Sequence, residues 1–257
     1  MSFTDEDAAK AWNAGASAYD RFVDSGADYY RLEVHGPALL AACEPVRDRL
    51  VLDLGCGQGY LSRELASLGA HVDAIDVSAG LIAIAQEHEA QKPLGIRYHC
   101  ASAATVAIRF PRGHFDIVAA CMSLQDMADV PGTLRAAATV VRQEGRMVFS
   151  VPHPATDTAF REWERDPHGR KLSLKLDRYF ESGPSVCDWN KPRLTAHWSS
   201  PCWRYTLSEW TQLLTDAGLT IRHLHEPRPT EAQVVANPRL DDCRRMPYFL
   251  IFDLVKT

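Results

Sequence analysis

Short apolar runs alternating with helical periodicity predict a doubly wound α/β fold, and three stretches carry that prediction. Residues 51–60, VLDLGCGQGY, read as a buried strand (Val51, Leu52, Leu54) followed by three closely set glycines, Gly55, Gly57 and Gly59. The next residues, LSRELASLG, place Leu61, Leu65 and Leu68 on one helical face and stop at Gly69. HVDAIDVS then reads as a second strand ending in Asp76, about 20 residues past the first glycine, where a βαβ unit places a carboxylate on ribose hydroxyls. The third stretch, from Phe115 to Cys121, is apolar throughout, as a parallel strand covered on both faces requires.

Glycine spacing selects the nucleotide. A dinucleotide site uses G-x-G-x-x-G, which would put its third glycine at position 60, where Tyr60 stands. Here an acid, Asp53, precedes the glycines, giving D-x-G-x-G-x-G. This pattern resembles motif I of the class I S-adenosylmethionine-dependent methyltransferases. The resemblance implies a seven-stranded, mostly parallel Rossmann-like sheet. It implies S-adenosylmethionine as cofactor and S-adenosylhomocysteine as product, with Asp53, Gly55, Cys56, Gly57, Gly59, Asp76 and Val77 around the cofactor. The chemistry agrees: this donor has no pyrophosphate, its ammonium suits Asp53, and a sulfonium tolerates two acids. Asp76 has a second reading as a helix cap shared with Ser78.

Ahead of motif I, residues 1–48 read as a helical lid. AKAWNAGASAYDRF carries Trp12, Tyr19 and Phe22 at helical spacing, and YYRLEVHGPALLAAC forms a second helical run. Residues 16–20, ASAYD, are similar to a lid element of small-molecule methyltransferases. This implies that Tyr19 touches the cofactor tail or lines the substrate pocket, as cofactor contact or catalytic group; Trp12 is a substrate-side candidate or a core residue.

Beyond Asp76, a helix with Leu81, Ile82 and Ala85 leads to a third strand in GIRYHCAS. In the family an acid after this strand holds the adenine amino group; here Ser102 and Ala103 stand there, so a hydroxyl or the backbone must serve. The strand ending at Cys121 resembles motif IV, which implies that Cys121 and Met122 lie near the methionine part. Gln125 and Asp126 follow on the turn, as substrate-facing candidates or as helix caps on a solvated surface; Gln125 is carried as a substrate contact. A helix over 134–141 precedes a fifth strand, GRMVFSVPHP. His153, between Pro152 and Pro154, is held in an extended segment at that strand's end, and is the candidate general base, or else a structural histidine.

From 155 to 205 the pattern turns polar, broken by Pro167, Pro184, Pro192 and Pro201 and rich in tryptophan. It reads as a substrate cap inserted after the fifth strand, with Trp189, His197, Trp198 and Trp203 as pocket walls or as the cap's own small core. TLSEWTQLLTDAGL is an amphipathic helix, capped by Thr206 or Ser208 and ended by Gly218. TIRHLHEP is the sixth strand, PRPTEAQVVANPRLDDCRR an exposed loop, and MPYFLIFDLVKT a last strand that in this family runs antiparallel between its neighbours. The expected units are therefore a lid at 1–48, a cofactor-binding core at 49–154, the cap at 155–205, and residues 206–257 completing the core.

Composition narrows the function. The 257 residues carry a net charge of −5 with no basic block, which argues against nucleic acid as partner. No apolar run spans a membrane, and the acidic MSFTDEDAAK lacks a signal-peptide core, so a cytoplasmic location without membrane contact is expected. The 7 cysteines are scattered with no C-x-x-C pair, so no metal site is expected. The reading is S-adenosylmethionine-dependent methyl transfer to nitrogen or oxygen of a small molecule, in a bacterial natural-product setting; a homo-oligomer stays open. Its alternatives are a nicotinamide-dependent oxidoreductase and a non-catalytic S-adenosylmethionine-binding protein.

Overall fold

The computed structural model describes residues 2–190 and 194–256, so Pro192 lies outside the described residues. Two helices, α1 (Asp5–Asp24) and α2 (Gly36–Cys43), flank a π-helical turn, Arg31–His35. Then come β1 (Leu50–Leu54), α3 (Tyr60–Ser67), β2 (His71–Asp76), α4 (Ala79–Gln91), β3 (Arg97–Cys100), α5 (Val106–Arg109), β4 (Phe115–Cys121), α6 (Val130–Val140) and β5 (Val141–Pro152). Four strands follow: β6 (Phe160–Arg165), β7 (Lys171–Asp177), β8 (Gly183–Trp189) and β9 (Trp198–Arg204). The chain closes with α7 (Leu207–Asp216), β10 (Leu219–His225), α8 (Glu231–Ala236), α9 (Asp241–Arg245) and β11 (Phe249–Lys256).

The main sheet has seven strands in the order β10-β11-β5-β4-β1-β2-β3. Strands β1 to β5 pair in parallel, and β11 enters antiparallel between β5 and β10, as the resemblance implied. Strand order reverses between β1 and β4. The carboxyl ends of strands at such a reversal open a crevice for a ligand. Both faces of the sheet are covered, so β1 and β4 are apolar runs rather than alternating ones. Phe149 of β5 and Phe252 of β11 are fully buried and stack at 4.9 Å, tying the antiparallel strand to the parallel set.

Helix α1 starts where Thr4 and Asp7 form a capping box, and its first turn is acidic, matching the positive end of the helix dipole. Its inner face packs on α4 and β9. Asn13 Oδ1 accepts hydrogen bonds from Ser78 Oγ at 2.7 Å and Gly80 N–H at 2.9 Å, which fixes α1 over the carboxyl end of β2.

Residues 155–205 form two antiparallel hairpins, β6–β7 and β8–β9. The sequence expectation of an exposed loop after β10 is corrected. Thr230 and Gln233 form a capping box that starts α8, and Leu240, Asp242 and Cys243 are buried. Gln233 Nε2 and Asn237 Nδ2 donate to the Glu33 carbonyl and carboxylate at 2.9 and 2.7 Å, so the segment packs on the π-helical turn. Its polar composition hid the buried contacts.

Candidate active site

At the carboxyl ends of β1, β2 and β4, roofed by α1, lies a cavity of about 850 Å³ with its mouth included. Of the residues expected around a cofactor, Tyr19, Asp53, Gly55, Cys56, Gly57, Asp76, Val77, Ser102, Ala103, Cys121 and Met122 line it. Gly59 does not; it precedes α3 with its missing Cβ directed at the Tyr98 ring.

Asp53 is fully buried. Ser62 Oγ donates to its Oδ2 at 2.5 Å, while Oδ1 has no hydrogen-bond partner among the described residues. Burial holds its carboxyl up at about 7, against the lowering effect of the Ser62 bond and with Asp76 adding to the rise. An orphaned buried oxygen on a residue that lines a cavity calls for a donor or a cation.

Arg31, which the sequence reading did not single out, supplies the opposite charge. It is buried on the π-helical turn, and its Nε donates to Asp28 Oδ2 at 3.1 Å. Its Nη2 donates to the Tyr19 hydroxyl, and its guanidinium lies 5.4 Å from the Tyr19 ring centroid and 5.3 Å from that of Tyr60. Tyr60, in place of a third glycine, is thus a wall of the cavity. Further guanidinium N–H groups remain for a carboxylate. The sequence signal for Arg31 was a single arginine in the helical run YYRLEVHG, beside Glu33 and His35.

Gly57 lies between these charges with φ +56, a conformation that disfavours a side chain. A Cβ built there would meet only Tyr19 Cε1, at 3.9 Å, so its open side is cavity. The Gly57 N–H donates to Asp76 Oδ2 at 2.8 Å, and the Ser78 N–H to Asp76 Oδ1 at 2.8 Å. Ser78 Oγ accepts from Leu81 N–H and caps α4, while Asp76 organises the glycine turn and the helix start together. Each carboxylate oxygen retains a lone pair for a hydroxyl. Ser102 lines the cavity, and its Oγ accepts from Ala104 N–H at 3.3 Å, which leaves the hydroxyl able to donate. Met122 stands at φ +52, with its N–H donating to Ser150 O and Oγ, which turns the chain sharply at the cavity wall.

The candidate substrate and catalytic residues are dispersed. Trp12 lines the cavity, whereas Trp189, His197, Trp198 and Trp203 do not. Trp189 and Trp198 stack at 5.1 Å and pack edge-on against Trp12, forming an aromatic core between α1 and the β8–β9 hairpin. Trp203 Nε1 donates to the Met127 carbonyl, one residue behind the wall, and His197 is exposed. Gln125 is turned inward, donating to the Met122 carbonyl and to Asp126, and it is Asp126 that lines the cavity. His153 lies outside the lining. Its Nε2 is 2.9 Å from Glu226, its Nδ1 accepts from Ala155 N–H, and burial lowers its pKa. The proline-flanked histidine therefore pins the strand's exit.

An amino-acid tail needs a cation and an anion, a ribose needs an acceptor, and a base needs a slot. Arg31, Asp53, Asp76 and the Ser102–Ala103 wall offer these in one cavity, so the residues present fit S-adenosylmethionine.

Comparison with known proteins agrees. Residues 52–149 match the family described as a methyltransferase domain. Similar curated proteins include the ubiquinone biosynthesis O-methyltransferase of Ralstonia nicotianae, 35% identical over 109 residues (42% of this chain, 45% of that protein). The protein of the same name from Burkholderia orbicola is 34% identical over 134 residues (51% and 57%). The chain spans about half the length of the curated relatives it matches. The crystal structure of an S-adenosylmethionine-dependent methyltransferase from Mesorhizobium loti aligns with a TM-score of 0.71 at 28% identity, covering 85% of this chain and 96% of that one. Motif, sheet order, cavity and likeness agree: residues 52–149 match a methyltransferase domain, on a fold shared with S-adenosylmethionine-dependent methyltransferases.

Proposed function

We propose that this chain transfers a methyl group from S-adenosylmethionine to an oxygen of a small phenol-like molecule held between α1 and the turn after β4. One observation carries the reading: an orphaned buried carboxylate oxygen, a buried guanidinium and an open glycine share one cavity, as a zwitterionic sulfonium donor requires. When bound, that donor supplies an electrophilic methyl on a leaving group that needs no further activation.

The chain's own work is alignment and exclusion of water. Asn13 holds α1 closed over the β2 end, and the aromatic core of Trp12, Trp189 and Trp198 ties α1 to the β8–β9 hairpin. These contacts support reading 1–48 as a lid and 155–205 as a cap. Tyr19 keeps its proton at neutral pH, because burial pushes it up to about 12, and it steadies Arg31 rather than acting as a base. Cys121, held up at about 11 by burial, is a neutral wall. Asp126 is the carboxylate placed at the wall near Met122 and Met127, and it takes the proton of the acceptor hydroxyl.

Oxygen is favoured over nitrogen because the curated relatives bear the name O-methyltransferase. No residue argues for a natural-product setting. The absence of any helix long and apolar enough to cross a membrane, among the described residues, fits a small-molecule acceptor met in solution.

The test is incubation with S-adenosylmethionine and a panel of catechols, phenols and amines, read by mass spectrometry. Methylated phenols are expected, and Asp126→Asn should lower kcat by roughly a hundredfold or more while S-adenosylhomocysteine affinity is kept. Methylated amines alone would overturn the oxygen assignment. Binding with no product would return the chain to a non-catalytic role.

A further inference from the structure

Between the β6–β7 turn and the segment from α8 to α9 lies a second cavity, about 1030 Å³ with its mouth included, that shares no lining residue with the first. Arg165, Arg170, Lys171 and Arg239 line it, with the Tyr29 ring as one wall. Its two carboxylates are already committed. Asp241 pairs with Arg245 at 2.9 Å. Asp242, buried, pairs with Lys171 and accepts from the hydroxyls of Tyr30 at 2.9 and 2.8 Å and Tyr248 at 3.2 Å. The nearby Asp166 spends Oδ1 on the turn's own backbone, accepting from His168 and Arg170 N–H.

That leaves three guanidiniums with no ion-pair partner among the described residues. Arg165 Nη1 donates only to the Gly169 carbonyl at 2.8 Å, and Arg239 lies 5.9 Å from the Tyr29 ring centroid. Strand register sets Arg165 directly opposite Lys171. Like charges opposed across an antiparallel pair are destabilising, yet only Lys171 is neutralised from behind. On a chain of net charge −5, a cleft that gathers unpaired arginines is a focused positive field. Guanidinium forks match phosphate oxygens two at a time.

We propose that this cleft binds the phosphate groups of a phosphorylated small molecule, at a site separate from the cofactor cavity. The hairpin turn supplies Arg165 and Arg170, the segment before α9 supplies Arg239, and Asp242 fixes the floor between them.

The experiment is calorimetric titration of the full chain with inorganic pyrophosphate in low-salt chloride buffer. Saturable binding is expected, weakened about tenfold or more in the Arg170→Gln/Arg239→Gln double variant and by added salt. S-adenosylhomocysteine affinity should be equal in both proteins, which confirms folding; if the double variant does not fold, the exposed Arg170→Gln alone serves, with a smaller loss expected. No binding of pyrophosphate, or equal binding by wild type and variant, would overturn the proposal. Co-sedimentation with phosphatidylglycerol vesicles, lost in the same variants and without any pyrophosphate binding, would also overturn it, because the phosphate would then be a lipid headgroup.

Discussion

Ser62 Oγ donates to one oxygen of Asp53 at 2.5 Å and leaves the other buried without a partner among the described residues, on a residue that lines the candidate cofactor cavity. Because burial raises this carboxyl from 3.8 to about 7, the folded state holds more protons than the unfolded chain between those values. The group's share of stability therefore falls as pH rises from about 4 to 7 and is constant above. A cationic ligand favours the ionised form, so affinity for S-adenosylhomocysteine should climb as pH rises to about 7 and level off there, by up to about tenfold per pH unit. Asp53→Asn should weaken binding and flatten that climb. Calorimetry from pH 5.5 to 8.5 checks it, and an unchanged slope in the variant would assign the titration to Asp76, whose carboxyl burial also raises.

Arg31 is clasped by Asp28 and by the rings of Tyr19 and Tyr60, so its direction is fixed before any ligand arrives. Arg31→Ala should weaken S-adenosylhomocysteine binding by roughly ten- to a hundredfold, the scale of a lost charged hydrogen bond. Arg31→Lys keeps the charge without the fork and should fall between. Adenosine, which has no amino-acid tail, should bind all three proteins alike; a parallel loss for adenosine would mean that Arg31 serves the fold and not the tail.

Gly57→Ala adds one methyl to the open side of the cradle and forces a side chain into left-handed backbone, at about 1–2 kcal/mol. Affinity for the cofactor should drop more than stability does. Thermal unfolding with and without S-adenosylhomocysteine separates the two, since the ligand-induced rise in Tm should shrink.

Gly15 of α1 admits the Trp198 ring so closely that a Cβ there would stand 2.2 Å from it. Gly15→Ala should push the β8–β9 hairpin off α1, costing about 1–3 kcal/mol. Hydrogen exchange should quicken along α1 and β9 while β4 and β5 keep their protection. Uniform loss of protection would mean that α1 belongs to the main core rather than to a separable cover.

The sequence by itself determined the glycine turn and the parallel strands that flank it. Strand, glycine turn and acid are a local pattern, and backbone rules act on neighbours in the chain, so Asp53, Gly57 and Asp76 were legible at their positions. The antiparallel last strand was legible only through the resemblance. Tertiary structure alone decided which distant side chains face the same space. Arg31 reaches the cavity because the π-helical turn stands beside Tyr60 at the start of α3, and no spacing rule announces that. Asp126 faces the cavity and its neighbour Gln125 does not, because a tight 3₁₀ turn at Leu124–Asp126 directs successive side chains differently. His153 lies off the site because Glu226, 73 residues away, holds its ring. Asp242 is buried in a stretch whose composition is that of an exposed loop, since its partners Tyr30, Tyr248 and Lys171 come from the segment ahead of α2, the approach to β11 and the β7 strand. Local order is written in neighbouring residues; the charges that meet in a cavity are written in contacts between segments, and these exist only once the chain has folded.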